Sequence, residues 1–208
     1  MLTSRSRALL IAALMPLLLA GAPDASSGVG EVNLCLLAPH GDPQAGGRVR
    51  ALVPLPRPTI FVADPLAEVR LERGGRLLWQ RQASLLEPIQ GPLPWPLPPL
   101  RPGEQMLLRL RPMDQVEGHM ASIELEAAPA TALARNEALR VSLGSNADLW
   151  LRAVEEALQR RHESLAAALL FAFEGPSSPA LDSLRRRAYE QGCSPGSSGV
   201  DTDRSPTP

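Results

Sequence analysis

Apolar and polar residues alternate over several short segments in the first two-thirds of the chain, which is the pattern of half-buried β-strands. In the clearest segment, Val69 and Leu71 alternate with charged residues, Gly74 and Gly75 follow, and the chain returns towards Trp79. Two adjacent glycines tolerate the positive φ angles that a two-residue hairpin turn requires. The pattern therefore predicts a β-hairpin with Trp79 buried at its end.

Further strands are predicted on both sides of this hairpin from apolar runs and alternating segments. They cover residues 31–37, 46–55, 59–63, 105–111 and 119–127. Short strands that are separated by turn residues are typical of two packed antiparallel sheets. We therefore expect an antiparallel β-sandwich of the immunoglobulin or fibronectin type over residues 31–128.

A proline-rich stretch, residues 88–102, interrupts this series of strands with seven prolines in fifteen residues. Proline lacks a backbone N–H, so such a stretch favours polyproline II or the edge of a sheet. Residues 96–99, with the sequence PLPP, are also similar to peptides that bind in aromatic grooves. We interpret the stretch instead as a stiff connection between the sheets, with Leu93, Trp95, Leu97 and Leu100 pointing inward.

The last third of the chain changes to apolar spacings of three and four residues, which is the period of an amphipathic helix. Three helices are predicted: from a cap at Ser145 or Asn146 to Leu158, from Leu165 to Phe173, and from Ser178 to Gly192. Residues 129–141 form a weaker candidate for a linking helix. The expected fold class is therefore α+β, with the sandwich followed by a small helical subdomain at residues 129–192.

We expect this helical subdomain to pack on the sandwich, because a single helical unit cannot bury its own apolar face. In that arrangement five apolar side chains face the strands: Leu149, Val154, Leu158, Leu165 and Leu169. After the last helix, residues 193–208 are rich in serine, proline, glycine and aspartate, which predicts a disordered tail.

The first 25 residues have the three regions of a secretory signal peptide. Two arginines precede an apolar stretch over residues 8–19, and small residues follow at positions 20–22. We therefore expect a periplasmic or extracellular protein, which stays anchored in the membrane if Pro23 prevents cleavage. The rest of the chain has no apolar run long enough to span a membrane and is weakly acidic, so we expect no membrane-spanning domain and no nucleic-acid partner.

The two cysteines, Cys35 and Cys193, both follow the predicted signal peptide. Thiols of exported proteins tend to be oxidised, and two cysteines allow a single pairing. A disulfide between them would join the first predicted strand to the C-terminal tail. The alternative that the sequence leaves open is two unrelated thiols, with Cys35 buried in a strand as a small hydrophobic residue.

The candidate catalytic and metal-binding motifs are all incomplete. The chain has no lysine, which excludes Schiff-base and P-loop chemistry. Ser194 lies in a G-x-S-x-G pattern, but Pro195 after it has no N–H to donate in an oxyanion hole. Asp114, Glu117 and His119 match no zinc or calcium spacing. We therefore assign no catalytic, cofactor-binding or metal-binding residue and expect no cofactor.

Two other groups of polar residues also receive a structural interpretation. His40 is interpreted as part of a turn, and His162 as a residue on the surface of a helix. The arginines at 160–161 and 185–187 could bind phosphate, but we interpret them as the solvent-exposed side of amphipathic helices.

Several segments together resemble a module of exported bacterial proteins. They are Arg57-Pro58-Thr59, Val69-Arg70-Leu71, Leu77-Leu78-Trp79 and the sequence LPPLRPGE at residues 97–104. The chain is similar in this respect to exported families of unknown function, often cyanobacterial, in which a fibronectin- or immunoglobulin-like β-sandwich precedes a short helical tail. The resemblance covers roughly residues 35–190, and it departs from the family pattern at residues 105–107, where an aromatic residue is missing. It implies a fold and no activity.

These observations favour a non-enzymatic protein of the cell envelope, an interaction or structural module whose partners are other envelope proteins. One alternative is a partner domain of an envelope sensor or regulator, which an exposed apolar patch on the helices would favour. The other is an envelope hydrolase whose site is assembled from distant residues. A deep pocket with two or more groups of shifted pKa would favour this hydrolase.

Overall fold

The computed structural model describes residues 34–44, 48–84, 86–176 and 178–193. The predicted signal peptide, the predicted strand residues 31–33, Ser194 and the rest of the predicted tail lie outside the described residues. The described strands are β1 Leu36–Ala38, β2 Gly41–Gln44, β3 Arg48–Val53, β4 Ile60–Arg73, β5 Arg76–Gln82, β6 Ile89–Leu93, β7 Gln105–Pro112 and β8 Ala121–Ala127. The described helices are α1 Ala130–Leu143, α2 Ala147–Gln159, α3 Glu163–Ala172 and α4 Pro179–Gly192. None of these helices is long and apolar enough to cross a membrane.

The eight strands form one mixed sheet that is nearly closed into a barrel. The hydrogen-bonded order is β1-β4-β7-β8-β3-β2, and β5 and β6 also pair with β4. β3 and β8 are parallel, from Val49 opposite Ile123 to Val53 opposite Ala127, whereas the other described pairs are antiparallel. The expected antiparallel β-sandwich of the immunoglobulin or fibronectin type is therefore wrong, because one continuous sheet with a parallel pair replaces two antiparallel sheets.

β4 is the longest described strand, and its 14 residues pair with four other strands. Its first half pairs with β1 and β6, and its second half pairs with β5 and β7. The predicted hairpin is confirmed, since β4 and β5 are antiparallel neighbours. Gly74 and Gly75 have φ angles of 56° and 78° in its turn, which is the left-handed region that favours glycine.

The proline-rich stretch contributes β6 and then a compact turn. The indole N–H of Trp95 donates to the carbonyl of Pro98 over 3.0 Å, and the N–H of Leu100 donates to the carbonyl of Pro56 over 2.8 Å. Leu93, Trp95 and Leu100 are buried, as the sequence predicts, whereas Leu97 is only half-buried. The stretch therefore folds back onto the sheet instead of presenting an extended peptide.

The buried apolar residues form two clusters. The first lies within the sheet and extends to Leu133 at the start of α1. The second joins α2, α3, α4 and the end of α1 to β1, through Leu37 and Ala38. Between sheet and helices, the rings of Phe61 in β4 and Phe171 in α3 stack with their centroids 4.5 Å apart. The helices therefore pack on the sheet at β1 and at the start of β4.

The burial of some single side chains differs from the prediction. Val154 and Leu169 are buried as expected, whereas Leu158 is 45% exposed on the outer side of α2. Trp79 is half-buried at the margin of the first cluster, although the hairpin pattern predicts full burial. The reason is its place in β5, which among the described strands pairs with β4 alone.

Cys35 and Cys193 lie at disulfide distance, with their Cα atoms 5.4 Å apart. This agrees with the predicted pairing, because disulfides need a Cα separation of about 4.4–6.8 Å. Cys35 precedes β1 and Cys193 follows α4, and 158 residues separate them along the chain. The pair therefore connects the helices to the same strand that anchors the second cluster.

Candidate functional site

A cleft of about 360 Å³ lies where the sheet meets α1 and α3. Four separate segments line it: His40 and Asp42 from the corner between β1 and β2, Leu52 from β3, Arg135 from α1, and Glu163 from α3. A volume of this size is typical of sites that bind small molecules. We refer to it as the α1–α3 cleft.

The α1 wall of the cleft includes Arg135, two alanines and one buried amide. Ala128 and Ala132 face the end of β3, and the N–H of Ala128 donates to the carbonyl of Val53 over 2.9 Å. Asn136 is 4% exposed, and its Nδ2 donates to the carbonyl of Pro54 over 3.1 Å. This bond satisfies a carbonyl just beyond the strand and fixes the position of α1 against it.

The opposite wall is the turn between α2 and α3. The N–H of Arg161 donates to the carbonyl of Leu158, and the N–H of His162 donates to the carbonyl of Ala157, each over 2.9 Å. These two bonds form a Schellman motif, in which the residue after the helix usually is glycine. Here that residue is Arg161, with a φ of 58°. The motif places Arg161 and His162 together on the lining of the cleft.

Glu163 connects this turn to the sheet, because its Oε2 lies 3.7 Å from Nε2 of His40. Ser164 follows it on the lining, but no hydrogen bond joins its hydroxyl to a histidine within the described residues. The described part of the chain also has no group of three or more His, Cys, Asp or Glu residues that could hold a metal ion. The cleft therefore presents binding groups and no assembled nucleophile–base pair.

The most buried carboxylate of the sheet lies away from the cleft. Glu68 in β4 is 2% exposed, and this burial raises its pKa. Hydrogen bonds from Arg70, Gln82 and Arg111, together with the charge of Arg70, outweigh the burial and leave the pKa below its usual value. Glu68 therefore remains ionised and holds neighbouring strands together.

Two more carboxylates with a shifted pKa also lie outside the cleft. The pKa of Glu104 is lowered, first by the hydrogen bond from the backbone N–H of Arg101 and also by Arg73. The pKa of Glu137 is lowered, first by its hydrogen bond with Arg140. Both carboxylates are therefore held charged by arginines and stabilise local structure.

The structure brings together two residues that the sequence analysis treats separately. His40 and His162 both line the α1–α3 cleft, although their local sequences indicate only a turn and a helix surface. Asp114, Glu117 and His119 are exposed in the turn between β7 and β8. Short sequence motifs do not indicate the cleft, because its lining comes from four segments that lie far apart in the chain.

Arg185 differs from its predicted place on the solvent side of a helix. Its Nε donates to the carbonyl of Leu170 over 3.0 Å, and its Nη2 donates to the carbonyl of Phe173 over 2.8 Å. The guanidinium carbon also lies 6.0 Å from the centre of the Phe173 ring. Arg185 therefore caps the end of α3, whereas Arg186 and Arg187 are exposed as expected.

No protein-family model matches the chain, and no curated protein or solved structure matches it either. Membership of a family of exported modules therefore stays a prediction. The immunoglobulin-like fold that this resemblance implies is wrong. The cleft, the ion pairs and the cysteine pair are accordingly the basis for a functional assignment.

Proposed function

We propose that the chain is a non-enzymatic interaction or structural module of the cell envelope, with other envelope proteins as its partners. The observation that carries this proposal is the pair Cys35 and Cys193 at disulfide distance, and the lowered pKa of Glu68, Glu104 and Glu137, each with an arginine partner, agrees with it. A carboxyl group that acts as a general acid near neutral pH needs a raised pKa. These carboxylates therefore serve the fold, and none of them lines the α1–α3 cleft.

The cysteine pair supports the envelope as the compartment. Disulfides persist in the periplasm and at cell surfaces, whereas cytosolic thiols are usually kept reduced. Cys35 and Cys193 lie at disulfide distance, and the first 25 residues have the pattern of a signal peptide. The protein is then periplasmic or extracellular, and it stays anchored in the membrane if Pro23 prevents cleavage.

The compartment is tested by fractionating native cells after their free thiols have been alkylated. We expect the protein in the envelope fraction, with Cys35 and Cys193 protected from alkylation. After cleavage, the N-terminus lies between residues 21 and 26; without cleavage, the protein is in the membrane fraction. A soluble cytoplasmic pool that begins with Met1 and has both thiols alkylated would contradict the proposal.

The interaction role is tested by crosslinking the tagged protein in intact cells and identifying what is captured. We expect a defined set of envelope proteins for the native chain. The matched control replaces Cys35→Ser and Cys193→Ser together, which breaks the connection between sheet and helices and should reduce capture. Formation of a new product from envelope extract by the purified chain would instead favour the hydrolase alternative.

A further inference from the structure

The lining of the α1–α3 cleft combines an apolar surface with two arginines that form no ion pair among the described residues. Leu52 is 47% exposed at its edge, and Pro54, Ala132 and Leu165 continue the apolar surface between the two helices. Leu52 is on β3 and faces outward, where the pattern of a strand usually places a polar residue. This surface suits a small ligand with an apolar body.

The arginines on the lining are available to bind an anion. Its two arginines, Arg135 and Arg161, have no ion-pair partner among the described residues. Its two carboxylates, Asp42 and Glu163, both lie outside ion-pair distance of these arginines, and Oε2 of Glu163 is instead 3.7 Å from Nε2 of His40. Most arginines on the sheet, in contrast, have a glutamate within ion-pair distance.

The backbone at Arg161 gives an independent reason to assign a role to its side chain. The position has a φ of 58° and closes the Schellman motif after α2, where glycine avoids the strain that a side chain causes. Arginine at this position therefore makes the fold less stable than glycine would. Strained residues of this kind are found preferentially at functional sites.

We propose that the α1–α3 cleft binds a small organic carboxylate, whose charged group pairs with Arg135 and Arg161 and whose apolar body lies on Leu52 and Leu165. This inference goes beyond the proposed envelope role, because it concerns a small ligand and not a partner protein. Arginine is suited to this task, since its guanidinium offers several N–H donors in a plane that matches a carboxylate.

The binding test uses two carboxylates of suitable size, 4-methylpentanoate and phenylacetate, added to the oxidised chain in nitrogen-15 NMR titrations. We expect saturable shifts of backbone N–H signals in residues 132–136 and 161–165. The neutral alcohol 4-methylpentanol and inorganic phosphate should each bind at least about tenfold more weakly, because one lacks the charge and the other lacks the apolar body. No saturable shift with either carboxylate, or equal binding of the alcohol or of phosphate, overturns the proposal.

A substitution at Arg161 separates binding from folding. Arg161→Gly should raise the melting temperature, because glycine suits the positive φ, and should weaken carboxylate binding about tenfold or more. Arg135→Gln should weaken binding similarly. The matched control is Arg152→Gln, an exposed arginine of α2 that does not line the cleft, and it should leave binding unchanged. Full binding by both cleft variants overturns the proposal.

The same samples distinguish this inference from the proposed function. The one-dimensional spectrum of each carboxylate is followed over a day with the native chain. An unchanged spectrum together with saturable binding supports both proposals. Binding accompanied by conversion of the ligand supports the anion site and contradicts the non-enzymatic role, whereas no binding overturns the anion site and leaves the envelope role to its own tests.

Discussion

Glu68 is a buried charge that depends on the surrounding side chains. Its carboxylate accepts hydrogen bonds from Nε of Arg70 at 2.6 Å and from Nε of Arg111 at 3.4 Å, and the side-chain amides of Gln80 and Gln82 complete the group. The partners come from β4, β5 and β7. A buried carboxylate is tolerated when it is both paired and hydrogen-bonded, which is the case here.

The lowered pKa of Glu68 predicts a specific pH dependence of stability. The folded-state pKa lies below the unfolded value, so the stabilisation is present above about pH 4.5 and is lost as the pH falls through the folded-state pKa. Glu68→Gln should therefore cost about 1–3 kcal/mol at pH 7 and less at pH 3. Urea unfolding at both pH values measures this, with Glu155→Gln, an exposed residue of α2, as the control. A deficit that is equal at both pH values would contradict the prediction.

The two tryptophans of the sheet should differ in their contribution to stability. Trp95 is 8% exposed and bonded through its indole N–H, whereas Trp79 is half-buried. Trp95→Ala should cost about 3–5 kcal/mol, which is usual for a buried tryptophan, and Trp79→Ala about half of that. Thermal unfolding of both variants provides the comparison. A larger loss for Trp79→Ala would show that β5 is more deeply packed than its exposure indicates.

Helix α2 has a complete N-terminal cap, and α4 provides a matched comparison. Oδ1 of Asn146 accepts hydrogen bonds from the N–H groups of Asp148 and Leu149 at 3.0 and 3.3 Å. Ser178, at the cap position of α4, makes no such bond. Asn146→Ala should therefore lower the free energy of unfolding by about 1 kcal/mol, and Ser178→Ala by much less. If chemical denaturation gave equal losses of unfolding free energy for the two variants, the Asn146 hydrogen bonds would contribute nothing to stability.

The elements that could be predicted from the sequence are those defined by residues close together in the chain. The hairpin depends on Gly74 and Gly75 and on strands that flank them directly. The parallel pairing of β3 and β8 joins Val49 to Ile123, and each strand alternates in the same way whether its neighbour is parallel or antiparallel. Periodicity therefore predicts the strands, while their order and direction depend on distant contacts.

The candidate site could not be predicted for the same reason. His40, Leu52, Arg135 and Arg161 come from four elements, and none of them belongs to a spacing that is typical of a site. Arg161 gives no distinctive local signal either, because many helices end without glycine. The cysteines are the exception, since a count of two leaves one pairing and therefore one long-range contact to predict.

β1 contacts both the sheet and the helices. This strand of three residues pairs with β4, contributes Leu37 and Ala38 to the second cluster, and follows the cysteine that is paired with Cys193. Removal of the helices would therefore expose apolar surface of the sheet. The helices and the sheet are expected to unfold together, because they share this strand.

Calorimetry of the full chain tests this coupling. The oxidised protein should unfold in one transition, and the double variant Cys35→Ser with Cys193→Ser should lose about 2–5 kcal/mol of stability. The native chain treated with a reducing agent should melt at the same temperature as this variant. Two separate transitions in the oxidised protein would show that the helices are an independent unit.

The long separation of the two cysteines has a consequence for biosynthesis. Cys193 is made 158 residues after Cys35, which at about 5–20 residues per second is a delay of roughly 8–30 s. During this time β1 is complete, and the helices that cover its apolar side chains are made one after another, with α4 last. The early part of the chain must therefore wait, with one unpaired thiol and an open second cluster, until the last helix has been made.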